Sequence, residues 1–186
     1  MGEFLGAGIR SSQDKSDDQG QAPEQASQLW PTSVQELTEG ERLVIWAFRR
    51  WIAGREHLPM LAREFDRQFR RAESREALVA LDLAMTVLTR HARRTIMHHQ
   101  ACCPCLAADE VCVISIVAAL QNGADAAARA MAPWLLRAEG VPAFLAALED
   151  LADCLSGSGH DLPYRTRPRN AGQQRHRMLQ PVAQLH

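Results

Sequence analysis

His98-His99-Gln100-Ala101-Cys102-Cys103-Pro104-Cys105 stands near the middle of the chain, where a long basic helical pattern stops and an apolar one begins. This stretch holds three of the five cysteines and two of the seven histidines in a sequence of 186 residues. How the junction is held therefore decides how the two halves of the chain are joined, and it is also where soft metal ligands are concentrated.

The spacing His99-x-x-Cys102-x-x-Cys105 places nitrogen and sulfur ligands close enough along the chain to meet one ion. Zinc takes four such ligands in a tetrahedron, and nearby arginines would favour the thiolates that it needs. Pro104 disfavours a helical conformation at the residue before it, which suits an open ligand loop. The pattern predicts a zinc site, and the candidate ligands in the stretch are His98, His99, Cys102, Cys103 and Cys105.

Other interpretations of the stretch stay open. In one interpretation the cysteines are small buried thiols beside a solvated histidine pair. In another, Cys102 and Cys105 form a redox-active pair. A further alternative is iron, held either as haem through Cys103-Pro104 or as a cluster that needs another cysteine, such as Cys112 or Cys154. We favour zinc over iron or haem.

Composition describes an ordinary globular protein, with 46% hydrophobic and 23% charged residues. A formal net charge of −1 argues against a general polyanion binder. The odd number of cysteines fits poorly with a secreted disulfide framework, and Met1 to Gly6 lacks the start of a signal peptide, so we expect a cytoplasmic protein. The longest apolar run, Val111 to Leu120, is too short to cross a membrane, which takes roughly 20 residues.

Helical periodicity predicts an all-α fold, a compact bundle of about five to six helices in residues 30–157. Residues 1–29 are poor in apolar side chains and are predicted to be disordered, and residues 158–186 are predicted to form a flexible basic tail. The predicted helices cover roughly 33–53, 58–72, 74–98, 109–120, 124–138 and 143–155, with a kink at Pro133.

The first and fourth helices carry particular signals. Thr38 and Glu41 form a capping-box pattern, and Gly54 marks the end of that first helix. The run Val111 to Val117 is β-branched, but alanines continue it, so we predict helix there. The first helix carries apolar residues on nearly all of its faces. This pattern predicts either a central position in the core or contact with a partner. The predicted interaction surface consists of Trp46, Phe48 and Trp51.

No catalytic signature is present: the H-E-x-x-H helix, the Gly-rich phosphate loop and the G-x-S-x-G elbow are all missing from the sequence. The sequence therefore favours a zinc-binding regulatory or adaptor protein that acts through a protein partner or through self-association. One alternative is a nucleic-acid-binding transcriptional regulator that uses the basic helix faces and the arginine tail. The other is a metal or redox sensor that uses the cysteine–histidine loop.

Overall fold

The computed structural model describes residues 30–165 of the chain. Within this range the chain forms helices and two isolated β-bridges. The described residues contain no β-strand beyond these single bridges. The predicted all-α fold is confirmed. The helices are α1 (Glu39–Ala53), α2 (Leu58–Gln68), α3 (Arg71–His91), α4 (Ala108–Gln121), α5 (Asp125–Met131) and α6 (Val141–Gly157).

The centre of the bundle is the packing of α6 against both α3 and α4. On the outside, α2 packs on α3 and α5 packs on α4, while α1 contacts α2, α3 and α4. Apolar side chains from all six helices form one continuous core. No helix in residues 30–165 combines the length and apolar character needed to cross a membrane.

The first helix begins and ends where its local signals predict. The backbone N–H of Glu41 donates to the Thr38 hydroxyl and the N–H of Thr38 donates to the Glu41 carboxylate, at 3.4 and 2.8 Å, which completes the capping box. At the other end Gly54 has φ of 139°, a conformation that residues with a Cβ rarely adopt. Helix α1 is therefore fixed by its own sequence at both ends.

Helix α4 is buried along most of its length. Its β-branched run is helical, as predicted, and the side chains from Val113 to Ala119 are all buried. A helix with this pattern belongs in the interior of a bundle. The core around α4 thus fixes the position of its first turn, which carries Asp109 and Glu110.

The third helix is shorter than predicted, because it ends at His91 and not at His98. The backbone beyond it pairs with a distant segment: Arg93 N–H donates to Leu135 O at 3.1 Å, and Arg137 N–H donates to His91 O at 2.9 Å. These partners replace the bonds of another helical turn. Residues 92–107 consequently form a long connection between α3 and α4 with no helix in it.

The body also extends beyond the predicted boundary at residue 157. Leu162 is buried in the core, the His160 ring contacts the backbone carbonyl of Gln68, and Arg165 forms an ion pair with Glu41. Residues 158–165 are thus part of the packed body and not of a flexible tail. The remainder of the predicted tails, residues 1–29 and 166–186, lies outside the described residues.

Candidate functional site

The connection between α3 and α4, which we call the junction loop (residues 92–107), is held on one side by the segment before α1. Val34 N–H donates to Pro104 O at 2.7 Å, and Leu106 N–H donates to Thr32 O at 3.0 Å. These bonds flank an antiparallel bridge between Ser33 and Cys105. The backbone around the cysteines is therefore fixed and not free.

On its other side the junction loop is held by Arg49, a buried arginine of α1. The guanidinium forms a two-point ion pair with Glu110, with Nε and Nη2 at 2.7 and 2.9 Å from the two carboxylate oxygens. Its remaining N–H groups donate to three backbone carbonyls of the loop at 2.6 to 3.2 Å. These carbonyls belong to Gln100, Cys103 and Cys105. All five donors of the guanidinium are thus satisfied.

The two acidic residues in the first turn of α4 accept hydrogen bonds from the rest of the loop. Glu110 accepts the backbone N–H groups of His99 and Ala107 at 3.1 and 2.9 Å. Asp109 accepts the N–H of Met97 and both Nη groups of Arg94, each at 2.7 Å. The sequence placed this acidic pair at a helix start, but its role as the anchor of the loop is a tertiary property.

Burial and these hydrogen-bond donors shift the pKa values of the two carboxyl groups in opposite directions. Burial alone raises the pKa of Glu110, but the hydrogen bonds from Arg49, Ala107 N–H and His99 N–H outweigh it and leave the pKa below its ordinary value. The pKa of Asp109 is lowered in the same way, with burial opposed by Arg94 and the Met97 N–H. Both groups are therefore carboxylates at neutral pH.

The predicted metal ligands are only partly brought together. His98 and Cys102 are exposed, and His99 is half-buried with its backbone N–H on Glu110. Within residues 30–165 no three side chains of His, Cys, Asp or Glu form a cluster that could hold a metal ion. The zinc site stays a prediction, and so do the haem and cluster alternatives.

Among the thiols of the loop, the pKa of Cys105 is raised, chiefly by the neighbouring Cys103 thiol. Cys103 is half-buried and Cys105 is exposed. Away from the loop, Cys154 is buried, and burial raises the pKa of the Cys112 thiol to about 12, so both behave as small apolar groups.

Next to the thiols lies a cleft of about 300 Å³, which we call the thiol cleft. It runs between α1, the segment before α1 and the junction loop. Its principal lining residues are Arg42, Trp46, Arg49, Cys102, Cys103 and Pro104. The cleft thus brings Cys102 and Cys103 of the loop next to Arg42 and Trp46 of α1.

Of the three residues of the predicted interaction surface on α1, one lies in the core. Phe48 is 1% exposed and packs among the other core residues, so its side chain is not available to a partner. Trp46 and Trp51 are half-buried, and the Trp51 indole N–H donates to Asp82 at 2.8 Å. The contact with a partner predicted for Trp46 and Trp51 stays a prediction.

A different apolar surface is open to solvent, and sequence reasoning missed it. A groove of about 430 Å³ lies along α4 and α5, almost free of polar lining, and two exposed tryptophans, Trp30 and Trp134, line it. We call it the aromatic groove; its lining includes Trp30, Val111, Cys112, Ser115, Met131 and Trp134. The only sequence signal is Trp134 directly after Pro133, a turn that ends α5 and points an aromatic ring outwards.

Comparison of the chain with protein-family models, with curated proteins and with solved structures finds no match. The function is therefore argued from the junction loop and the two concave surfaces beside it.

Replacing Glu110 with glutamine should destabilise the fold by about 3–5 kcal/mol, because Arg49 would keep its charge in a buried place without a counter-charge. Urea unfolding followed by circular dichroism measures the change. The matched control is Glu39→Gln, an exposed acid in the first turn of α1, which should cost less than about 1 kcal/mol. Equal effects of the two substitutions would contradict the proposed role of the buried pair.

The difference in the free energy of unfolding between the wild type and Glu110→Gln should become smaller at acid pH. Because the folded-state pKa of Glu110 lies below its ordinary value, its contribution is complete above the unfolded-chain pKa of about 4.3. Below that pH the unfolded chain takes up the proton first, and the contribution is lost as the pH falls through the folded-state pKa. Urea unfolding at stepwise lower pH should show the two free energies converging; a constant gap would argue against the assignment.

Proposed function

We propose that this protein is a regulatory or adaptor protein that binds a partner protein through the aromatic groove. The observation that carries the proposal is an apolar groove with an exposed, fixed tryptophan at its edge and arginines without carboxylate partners beside it. The partner that fits is a segment with apolar side chains followed by acidic ones.

The apolar part of the argument rests on Trp134. Its side chain is 59% exposed, yet its indole N–H donates to the Asp109 carboxylate at 3.2 Å and the Arg94 guanidinium lies 5.5 Å from the ring centre. An exposed aromatic ring that is already held in place loses little freedom on binding. Tryptophan is also the residue type most enriched among the side chains that dominate protein interfaces.

The groove continues past Trp30 along the two helices. A smaller cavity of about 220 Å³ shares Trp30, Ser115 and Met131 with it and is bordered by the exposed ring of Tyr164. Three aromatic residues, Trp30, Trp134 and Tyr164, thus line the combined surface. A continuous apolar strip of this kind suits an extended or helical peptide better than a single small ligand.

The charge beside the groove selects the kind of peptide. Arg93 donates to Pro133 O at 2.7 Å, and Arg137 donates to Ala92 O at 3.3 Å, so both guanidinium groups lie near the Trp134 end of the groove. Among the residues that the structure describes, neither forms an ion pair with a carboxylate. Acidic residues that follow the apolar part of a partner segment would supply the missing counter-charges.

Binding should be tested on the full chain with a labelled synthetic peptide that carries leucines at helical spacing followed by aspartates and glutamates. Fluorescence anisotropy should show saturable binding, which weakens about tenfold or more in Trp134→Ala. Binding should also weaken, by less, in Arg137→Gln and at high salt. Peptides with serine in place of leucine, or with lysine in place of the acids, should bind poorly.

Two matched controls separate the groove from general stickiness. Leu83→Ala removes an exposed apolar side chain of α3, and Arg75→Gln removes an exposed arginine of α3, both outside the groove, so neither should change peptide affinity. Absence of peptide binding would overturn the proposal. So would binding of a DNA or RNA duplex that displaces the peptide and is unaffected by Trp134→Ala, which is the nucleic-acid alternative. A homodimer that dissociates in Trp134→Ala would make a second copy the occupant.

A further inference from the structure

A third concave surface lies between the first half of α3 and the second half of α6, and we call it the acidic groove. Its volume is about 590 Å³, larger than that of the aromatic groove, and the two grooves share no lining residue. The exposed residues that line it are Arg75, Glu76, Val79, Leu83, Asp150 and Asp153. What binds in this groove is therefore a question separate from the proposed function.

The α3 wall of the acidic groove is apolar. Val79 and Leu83 are 60% and 48% exposed, and they lie four residues apart, so they share one face of the helix. A single exposed apolar side chain is ordinary in a folded protein. Here two of them line the same cavity, beside the buried residues Ala80 and Cys154. An occupant with apolar side chains of its own would remove this surface from water and be stabilised by doing so.

The charge in the acidic groove is negative and lacks counter-charges. Glu76 precedes Val79 by three residues on α3, and Asp150 and Asp153 line the groove from α6. None of the three carboxylates forms an ion pair within residues 30–165. Arg75 is the one cation among these lining residues, so the carboxylates are in excess. The groove thus fits a segment that combines cations with apolar side chains.

The chain contains such a segment. Residues 166–186 hold four arginines and no acidic residue, and Arg175 and Arg177 lead directly into Met178-Leu179. Arg165, the last residue that the structure describes, already pairs with the Glu41 carboxylate of the body. The charge of the segment and its apolar residues therefore complement the groove.

The length of the segment is sufficient, and its attachment favours binding within one molecule. Arg175 lies ten residues beyond Arg165, and ten extended residues span at most about 35 Å. A body of this size has a radius of gyration of about 14 Å, so the segment can reach the groove. A tethered segment has an effective concentration on the order of 1 mM, so a Kd of about 100 μM would keep the groove about nine-tenths occupied. A separate partner would have to compete with that concentration.

We propose that residues 166–186 bind in the acidic groove of the same molecule. The arginines of the segment lie beside the carboxylates of the groove, and Met178-Leu179 covers Val79 and Leu83. The groove is thereby closed in the isolated chain, and another protein with a basic and apolar segment gains access only by displacing the chain's own.

A labelled synthetic peptide of residues 166–186 tests the proposal on the full chain. In a quadruple variant, Arg175→Gln, Arg177→Gln, Met178→Ser and Leu179→Ser, the chain's own segment no longer competes for the groove. Fluorescence anisotropy should show saturable binding of the peptide to this variant, about tenfold tighter than to the wild type, because the tethered wild-type segment competes at about 1 mM. High salt should weaken the binding.

Substitutions added to the quadruple variant locate the bound peptide. Asp150→Asn together with Asp153→Asn should weaken binding about fivefold or more at low salt. Val79→Ser should also weaken it, since it removes apolar surface from the groove. The matched controls are Glu149→Gln, an exposed acid of α6 outside the groove, and Met97→Ser, an equally exposed apolar side chain of the junction loop. Neither control should change the affinity.

Equal affinity of the peptide for the wild type and the quadruple variant would overturn the proposal and leave the groove to a segment of another protein. Absence of binding to the quadruple variant, or binding that Asp150→Asn with Asp153→Asn does not weaken, would overturn it as well. Light scattering covers the remaining occupant. A wild-type dimer that the quadruple variant does not form would place the segment in the groove of a second copy and contradict binding within one molecule.

Discussion

The position of the junction loop depends on the contact between the Arg49 guanidinium and the Glu110 carboxylate. Both side chains are almost fully buried, at 2% and 0% exposed, and a lone charge in either place would be strongly unfavourable. The pair is tolerated because every donor of the guanidinium and both carboxylate oxygens are occupied. Since the partners come from α1, α4 and the loop between α3 and α4, the same contact links the two halves of the chain.

The neighbouring carboxylates of α4, Asp109 and Glu110, each position one of the two concave surfaces. Glu110, with Arg49, orients the backbone that carries Cys103 and Cys105 and so shapes the thiol cleft. Asp109 receives the indole N–H of Trp134 and the guanidinium of Arg94 and so fixes the rim of the aromatic groove. Both concave surfaces are therefore positioned from one helical turn, which the buried body of α4 holds rigidly in the core.

Local chemistry allowed much of the fold to be predicted. The Thr38 capping box, the stop at Gly54 and the helical continuation of the β-branched run depend on neighbouring residues, and all three predictions are confirmed. The end of α3 was predicted wrongly because cations near a helix C-terminus are locally favourable, so His91 to His98 resembled a last helical turn. In the structure Arg94 instead pairs with Asp109, and no local rule anticipates that contact.

The candidate site was harder to predict for the same reason. The sequence identified the stretch that joins the two halves of the chain, and its thiols indicated that an ion holds the junction. An arginine that donates to backbone carbonyls can hold the junction equally well, and the pattern of residues in the stretch does not distinguish the two. Arg49 lies in an apolar run, where its role as the clamp has no sequence signal. Trp134 similarly carries no periodicity that distinguishes an exposed ring from a core one.

Amide hydrogen exchange in the junction loop of the wild-type protein at neutral pH tests the central claim most directly. If the carboxylates of Asp109 and Glu110 hold the loop, the N–H groups of Met97, His99 and Ala107 should exchange slowly, and a metal chelator should leave their rates unchanged. Rapid exchange at these three positions, or protection that disappears when the chelator is added, would contradict the account.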